Sequence, residues 1–426
     1  MDDRVVITGV GIVCSLGLRV QEIWDALLAG RHGIRPIEGF DARGFDCRVA
    51  AQVPPIDPLS LGINPRNLRV LDTQSFMLMK CTTDAFSQAG LATTSIPRED
   101  IGFFAGMGMV DYKIEDLLPA VLKSVNADGD FTYDAFFSDG FKEIYPLWPL
   151  SMMNNIGFCE VATRHDIRGE NTVFSPHADS GAQAVAEGMK TVLDRKARIV
   201  LAGGVSEKLS PLSLARAHLC GILNTLDDQD QMLCRPFSAR RNGTILGEGC
   251  GVLSLELHSS ATERGVPCLA AITGYGTACE TDGRFDGPTT KALSRSMKGA
   301  LDSAGIEASD IDLVIAHGDG TKTGDKNESE AIHQVFSGSL DKITVFSSKG
   351  ALGHLSAGAP VADVILGISM IQTGIVPQTA NSVPIEDTVL FHLVDRQPLS
   401  VHPKRILINC QSYEGPSASL VIESLP

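Results

Sequence analysis

The opening stretch RVVITGVGIV, Arg4 to Val13, is an apolar, β-branched run broken only by Gly9 and Gly11. It predicts a buried strand. LAAITGYGTA, Leu269 to Ala278, repeats the same layout of apolar residues, Ile-Thr-Gly, one spacer and Gly, which points to an internal duplication. Further short apolar runs follow each copy: IGFFAGMG and RIVLAGGVS after the first, DLVIAHGDG and RILINC after the second. Helical stretches separate these runs, so the pattern predicts an α/β protein with two layered halves and largely buried sheets. Between the halves, a strand-like run from Gly251 to Leu257 leads into a helix and then a turn at Gly265 to Pro267. That places the boundary near residue 258, with an N-terminal half at 1–257 and a C-terminal half at 258–426. The first half is the longer, and its excess lies near 109–160. There the aromatic residues follow no clean period, as expected of an insertion covering a site or an interface.

One further segment joins pattern to chemistry. In NTVFSPHADSGAQAVAEGMKTVL a short strand ends at Phe174, a turn runs through SPHAD, and Ala182, Val185, Met189 and Val192 recur at helical spacing. Asp179 or Ser180 is placed to cap that helix. A residue on such a turn faces the exposed amides of a helix start, a setting that suits a nucleophile. The turn offers Ala178, which has no nucleophilic group.

Composition narrows the field. With 43% hydrophobic and 20% charged residues, the 426-residue chain has the makeup of a globular protein long enough for two core-forming units. A formal net charge of −15 leaves no basic field for a nucleic-acid backbone or an anionic membrane surface. No apolar run approaches the roughly 20 residues that cross a bilayer, and the start MDDRVVITG lacks the marks of a signal peptide. A cytoplasmic location is expected. The ten cysteines are scattered singly with no CxxC pair, so the expectation is small buried hydrophobes and no metal site.

Two loops in the second half carry the remaining candidates: VIAHGDGTKTGDKNESEA with His317, and TVFSSKGALGHLSAGAP with Lys349 and His354. Two imidazoles and an ammonium at strand ends suit work on an anion or a carbonyl oxygen, since neutral imidazole donates a hydrogen bond and lysine holds its partners by charge.

These stretches, together with VVITGVGIVCSLG, WDALLAGRHGIRPI, VLAGGVSE and RPFSARRNGTILGEGCGVLSLE, resemble the β-ketoacyl-acyl carrier protein synthases of the thiolase-like superfamily, in this order and over nearly the whole chain. The resemblance implies a five-layered αβαβα body built from two duplicated halves. It implies no cofactor, with acyl or malonyl groups arriving on the phosphopantetheine of acyl carrier protein. It also implies a dimer, either of two copies or with a Cys-bearing ketosynthase.

By matching motifs, His317 and His354 are the family's two histidines, Lys349 its lysine, Glu328 the acidic residue after the first histidine, and Ala178 stands at the nucleophile position. Tyr413 and Gly415, in NCQSYEGPSASL, stand where the family has its gate and oxyanion turn. Arg66 and Arg69, at helical spacing in INPRNLRVLDTQSF, match a region that docks carrier protein, the alternative being two solvated arginines. Phe103, Phe104, Met107 and Met109 are candidates to line an acyl pocket, with core packing as the alternative. Three functions follow from an alanine at position 178: a partner subunit resembling a chain-length factor, a malonyl carrier-protein decarboxylase using His317 and His354, or an active condensing enzyme carrying an engineered Cys-to-Ala change. The altered turn at Tyr413 and the neighbouring His177 weigh against a single engineered change.

Overall fold

The structure is a computed structural model that describes residues 4–109, 111–175, 177–225, 233–283, 287–340 and 342–425. Eleven strands form its main sheet: β1 (Val5–Cys14), β2 (Ile101–Met107), β3 (Asn171–Phe174), β4 (Ile199–Val205), β5 (Gly249–Leu257), β6 (Ala270–Cys279), β7 (Leu313–Ile315), β8 (Thr344–Phe346), β9 (His392–Leu393), β10 (Arg405–Gln411) and β11 (Pro416–Glu423). Their spatial order is β9-β8-β7-β10-β11-β6-β1-β5-β4-β2-β3.

The duplication is visible in that order. Counting strands within each half and setting β9 aside as an edge addition, both halves run first, fifth, fourth, second, third. In both, the first-to-fifth and fifth-to-fourth pairings are antiparallel, and the fourth-to-second and second-to-third pairings are parallel. The halves join where Val5, Val6 and Ile7 of β1 pair antiparallel with Ile272, Ala271 and Ala270 of β6.

Helices supply the other layers. α1 (Thr73–Gln88) covers β1, β5 and β4 on one outer face, while α3 (Thr290–Ala304) and α4 (Lys322–Val335) pack together, α3 covering β6 and β11 on the opposite face. Between the two halves of the sheet lie α2 (Ser180–Leu193) and α5 (Ala359–Thr373), in contact with each other and with strands of both halves. α5 is buried from Ala359 to Met370 and shows no polar stripe, as expected of a helix enclosed on both sides. This is the five-layered αβαβα arrangement.

The repeated Ile-Thr-Gly-x-Gly has a packing reason. A Cβ on Gly11 would sit 2.1 Å from the Cys81 carbonyl oxygen of α1, and one on Gly276 would sit 2.1 Å from the Ser296 carbonyl oxygen of α3. Each half therefore needs a bare backbone where its outer helix crosses its first strand.

Several expectations are corrected. Ser180 is the first residue of α2; Asp179 holds the cap position, but its buried side chain bonds Gln183 rather than a helix-start amide. Arg66 precedes and Arg69 ends a single 3₁₀ turn (Asn67–Arg69) ahead of α1, and Asp72 caps α1 by accepting from the Ser75 amide. Phe103, Phe104 and Met107 are core residues, with Phe103 stacked on Phe158 at 4.3 Å between ring centroids. The 109–160 segment is a set of short helices, including Leu118–Lys123, Tyr133–Ser138 and Trp148–Ser151, that leaves Leu122, Tyr133 and Phe137 65%, 72% and 68% exposed.

Candidate functional site

The two predicted histidines meet. His317 follows β7, His354 follows the short helix Lys349–Leu352, and their ring centroids lie 5.1 Å apart in a T-shaped contact. Both rings are nearly sealed from solvent, at 1% and 5% exposure. Burial, aided for His317 by the charge of Lys349, lowers the His317 pKa to about 3, and burial lowers that of His354 to about 4. Both are therefore neutral near pH 7. The backbone N–H of Gln411 donates to His317 Nδ1 at 3.3 Å and that of Ser356 donates to His354 Nδ1 at 3.0 Å. With Nδ1 accepting in both rings, the single proton of each sits on Nε2, giving two N–H donors for an oxygen in the site.

Glu328 and Lys349 act behind the histidines. The Glu328 carboxylate accepts from the amides of His317 and Gly318, both at 2.8 Å, and from Asn409 Nδ2 at 3.1 Å. It thus fixes the backbone that carries His317 rather than facing the site. Burial pushes its carboxyl upward, against the pull of those hydrogen bonds. Lys349 is buried, with Nζ 3.5 Å from Asp363 Oδ2, and Ser348 Oγ donates to Asp363 Oδ1 at 2.6 Å. Desolvation works to discharge this lysine, but the charges of Asp363, Glu328 and Asp319 hold its pKa above the ordinary value.

The turn that carries Ala178 approaches from the first half. Ala178, 3% exposed, donates its backbone N–H to Ser412 Oγ at 3.2 Å, and its carbonyl accepts from Cys410 Sγ at 3.3 Å. Ser412 Oγ in turn donates to Glu414, whose Oε2 lies 3.3 Å from His177 Nδ1. The turn at Ser412 to Gly415 is therefore tied to the Ala178 turn at two points. Gly415 takes a φ of 115° and donates its N–H to the Ser412 carbonyl at 3.0 Å, so that amide is engaged within the turn. Tyr413 is half-buried and lines the two neighbouring cavities that reach His317 and His354. Pro176 of the SPHAD turn lies outside the described residues, and Arg66 and Arg69 are exposed.

Three participants were missed in the sequence. Cys410 places a thiol against Ala178, yet burial and the nearby Asp179 drive its pKa far above the ordinary thiol value, so it is not a thiolate. Nothing local in RILINC signals that contact, because it spans two halves. Asp319, two residues after His317, brings Oδ2 to 3.7 Å from His317 Nε2; a carboxylate in a glycine loop beside a candidate histidine was a usable signal. Gln411 is buried beside His317, and neither of its side-chain amide atoms has a hydrogen-bond partner among the described residues.

The family model for the N-terminal domain of beta-ketoacyl synthase matches residues 2–261, and that for its C-terminal domain matches 269–383. The chain belongs to the β-ketoacyl synthase family. It is 27% identical to 3-oxoacyl-[acyl-carrier-protein] synthase 2 of Coxiella burnetii over 423 residues, covering 98% of each chain. It is 29% identical to nodulation protein E of Rhizobium meliloti over 381 residues, covering 89% of each. Among solved structures, the ishigamide ketosynthase/chain length factor superposes with a TM-score of 0.87 at 26% identity, and a beta-ketoacyl synthase from Burkholderia phymatum with 0.86 at 25%, each over 100% of both chains. These likenesses establish the thiolase-like ketosynthase fold. No helix among the described residues is long and apolar enough to cross a membrane.

Proposed function

We propose that this chain is a ketosynthase-like subunit of a type II fatty-acid or polyketide system, without a nucleophile of its own, that pairs with a Cys-bearing ketosynthase much as a chain-length factor does. The observation that carries this reading is the closure of the Ala178 turn. Acyl transfer needs a nucleophile and amide donors aimed at the developing oxyanion. Here the side chain is a methyl group, the Ala178 amide is spent on Ser412, and the adjacent Cys410 thiol is protonated and buried. The exposed apolar side chains of the 109–160 segment, and the edge position of β3, suit a partner surface. The likeness to a ketosynthase/chain length factor structure supports the same reading. Arg66 and Arg69 are candidates for docking an acidic carrier protein.

The two Nε2–H donors support a second reading, decarboxylation of a malonyl group on carrier protein, which needs the histidines and no cysteine. Co-expression with a Cys-bearing ketosynthase, followed by native mass measurement, tests the first: a stable 1:1 complex is expected, and a lone stable homodimer counts against it. Incubating the pure chain with malonyl carrier protein tests the second. Acetyl carrier protein that disappears on His317→Ala or His354→Ala would sink a purely structural role.

A further inference from the structure

His317, Asp319 and His354 place one nitrogen or oxygen atom each within 4.8 Å of one another, all three buried. Such a set invites a metal ion, but the rings are turned the wrong way for one. A metal needs the Nε2 lone pairs, and freeing them would move each proton to Nδ1, against the Gln411 and Ser356 amides that now donate there. As they stand, the rings present two N–H donors with a carboxylate beside them.

Asp319 is held in that place. Its Oδ1 accepts from the Thr321 amide at 2.9 Å and from Thr321 Oγ1 at 2.7 Å, leaving Oδ2 toward His317 Nε2 at 3.7 Å. Asp319, His317, Thr321, Gln411 and Tyr413 share the lining of a cavity of about 490 Å³. Gln411, 3% exposed, stands in its wall, and neither its carbonyl oxygen nor its NH₂ has a partner among the described residues. A buried amide with both ends unsatisfied is costly, and a ligand offering one donor and one acceptor would satisfy it.

Resting on the partner-subunit reading above, we propose that Asp319 is a specificity-determining residue: beside His317 it takes up the capacity of that imidazole for an anion, so that the cavity rejects a malonyl carboxylate and holds an uncharged, amide-bearing thioester arm anchored by Gln411. The ground is electrostatic. Two carboxylates a few ångströms apart beside the buried His317 and Asp319 repel, whereas an ester or alkyl group of the same size meets no such charge.

The test uses the full chain and a matched pair of non-hydrolysable pantetheine amides, one carrying malonyl and the other its uncharged methyl ester, with Kd measured by titration calorimetry. The expected result is at least a ten-fold preference for the methyl ester. Asp319→Asn, which can keep the Thr321 contacts, should erase most of that preference by tightening malonyl binding. Gln411→Leu should weaken both ligands several-fold. Equal affinity for the two ligands, or a preference unchanged in Asp319→Asn, overturns the proposal. So does micromolar binding of Zn²⁺ that is lost in Asp319→Asn, which would make the cluster a metal site. Pairing with a ketosynthase is measured separately, so loss of the charge preference leaves the subunit reading intact, and failure to pair leaves the preference to be judged on its own.

Discussion

The first half brings to the site the turn before α2, where Ala178 offers a methyl group and meets Ser412 and Cys410, and the second half brings the loops after β7 and β8, where His317, Lys349 and His354 bring three nitrogen-bearing side chains. The two halves share one strand order and one glycine device at the outer helix. Their difference therefore lies in the loops at the strand ends and not in the framework. A site assembled from such loops can lose one function and keep the groups behind another, because the core that positions them is built from other residues. The buried ion pair and the Glu328 cradle on the histidine side are structural commitments as well as chemical ones, whereas Ala178 makes only backbone bonds.

The largest way to break this comparison is on the histidine side. Lys349→Met leaves Asp363 buried without its counter-charge, and urea unfolding should show a loss of about 3–5 kcal/mol. Adding Asp363→Leu should recover much of it. A smaller effect sharpens the claim that the frameworks match. Gly11→Ala and Gly276→Ala each drive a methyl group into a helix carbonyl, and each should cost about 2–3 kcal/mol. Similar costs at both sites are expected, and a harmless change at one would show that the halves do not use the device alike.

Acid separates the halves next. The imidazoles of His317 and His354 have native pKa values of about 3 and 4, below the ordinary 6.5, so the unfolded chain binds more protons than the native one in between. Their contribution is complete above pH 6.5 and is lost as pH falls, toward 4 for His354 and toward 3 for His317. Against a His354→Gln variant, the natural chain should lose about 2 kcal/mol more between pH 6.5 and 4.5. An equal slope in both would place the acid sensitivity elsewhere.

The smallest expected change is on the other side. Ala178→Cys should alter stability by less than about 1 kcal/mol. It should also create a thiol at a helix start that iodoacetamide labels in the native protein while Cys410 stays protected, as read by peptide mass mapping. If Cys410 is labelled first, the description of its buried, protonated state fails.

Much of this was legible in the chain itself. The two Ile-Thr-Gly-x-Gly runs predict the duplication, because a packing need between a strand and the helix that crosses it is written in adjacent positions. The strand-end loops with His317, Lys349 and His354, and Ala178 on the turn before α2, are likewise local patterns. Tertiary structure decided what surrounds them. Cys410 and Ser412 meet Ala178 across more than 230 residues of sequence. Glu328 turns from the site to hold the His317 backbone, and Asp319 swings toward an imidazole instead of into solvent. Periodicity records which way a side chain faces relative to its own element, but which groups share a cavity depends on how two separately patterned halves close on each other. Burial and second-half neighbours set the protonation of both histidines, and that closure placed a protonated Cys410 against Ala178.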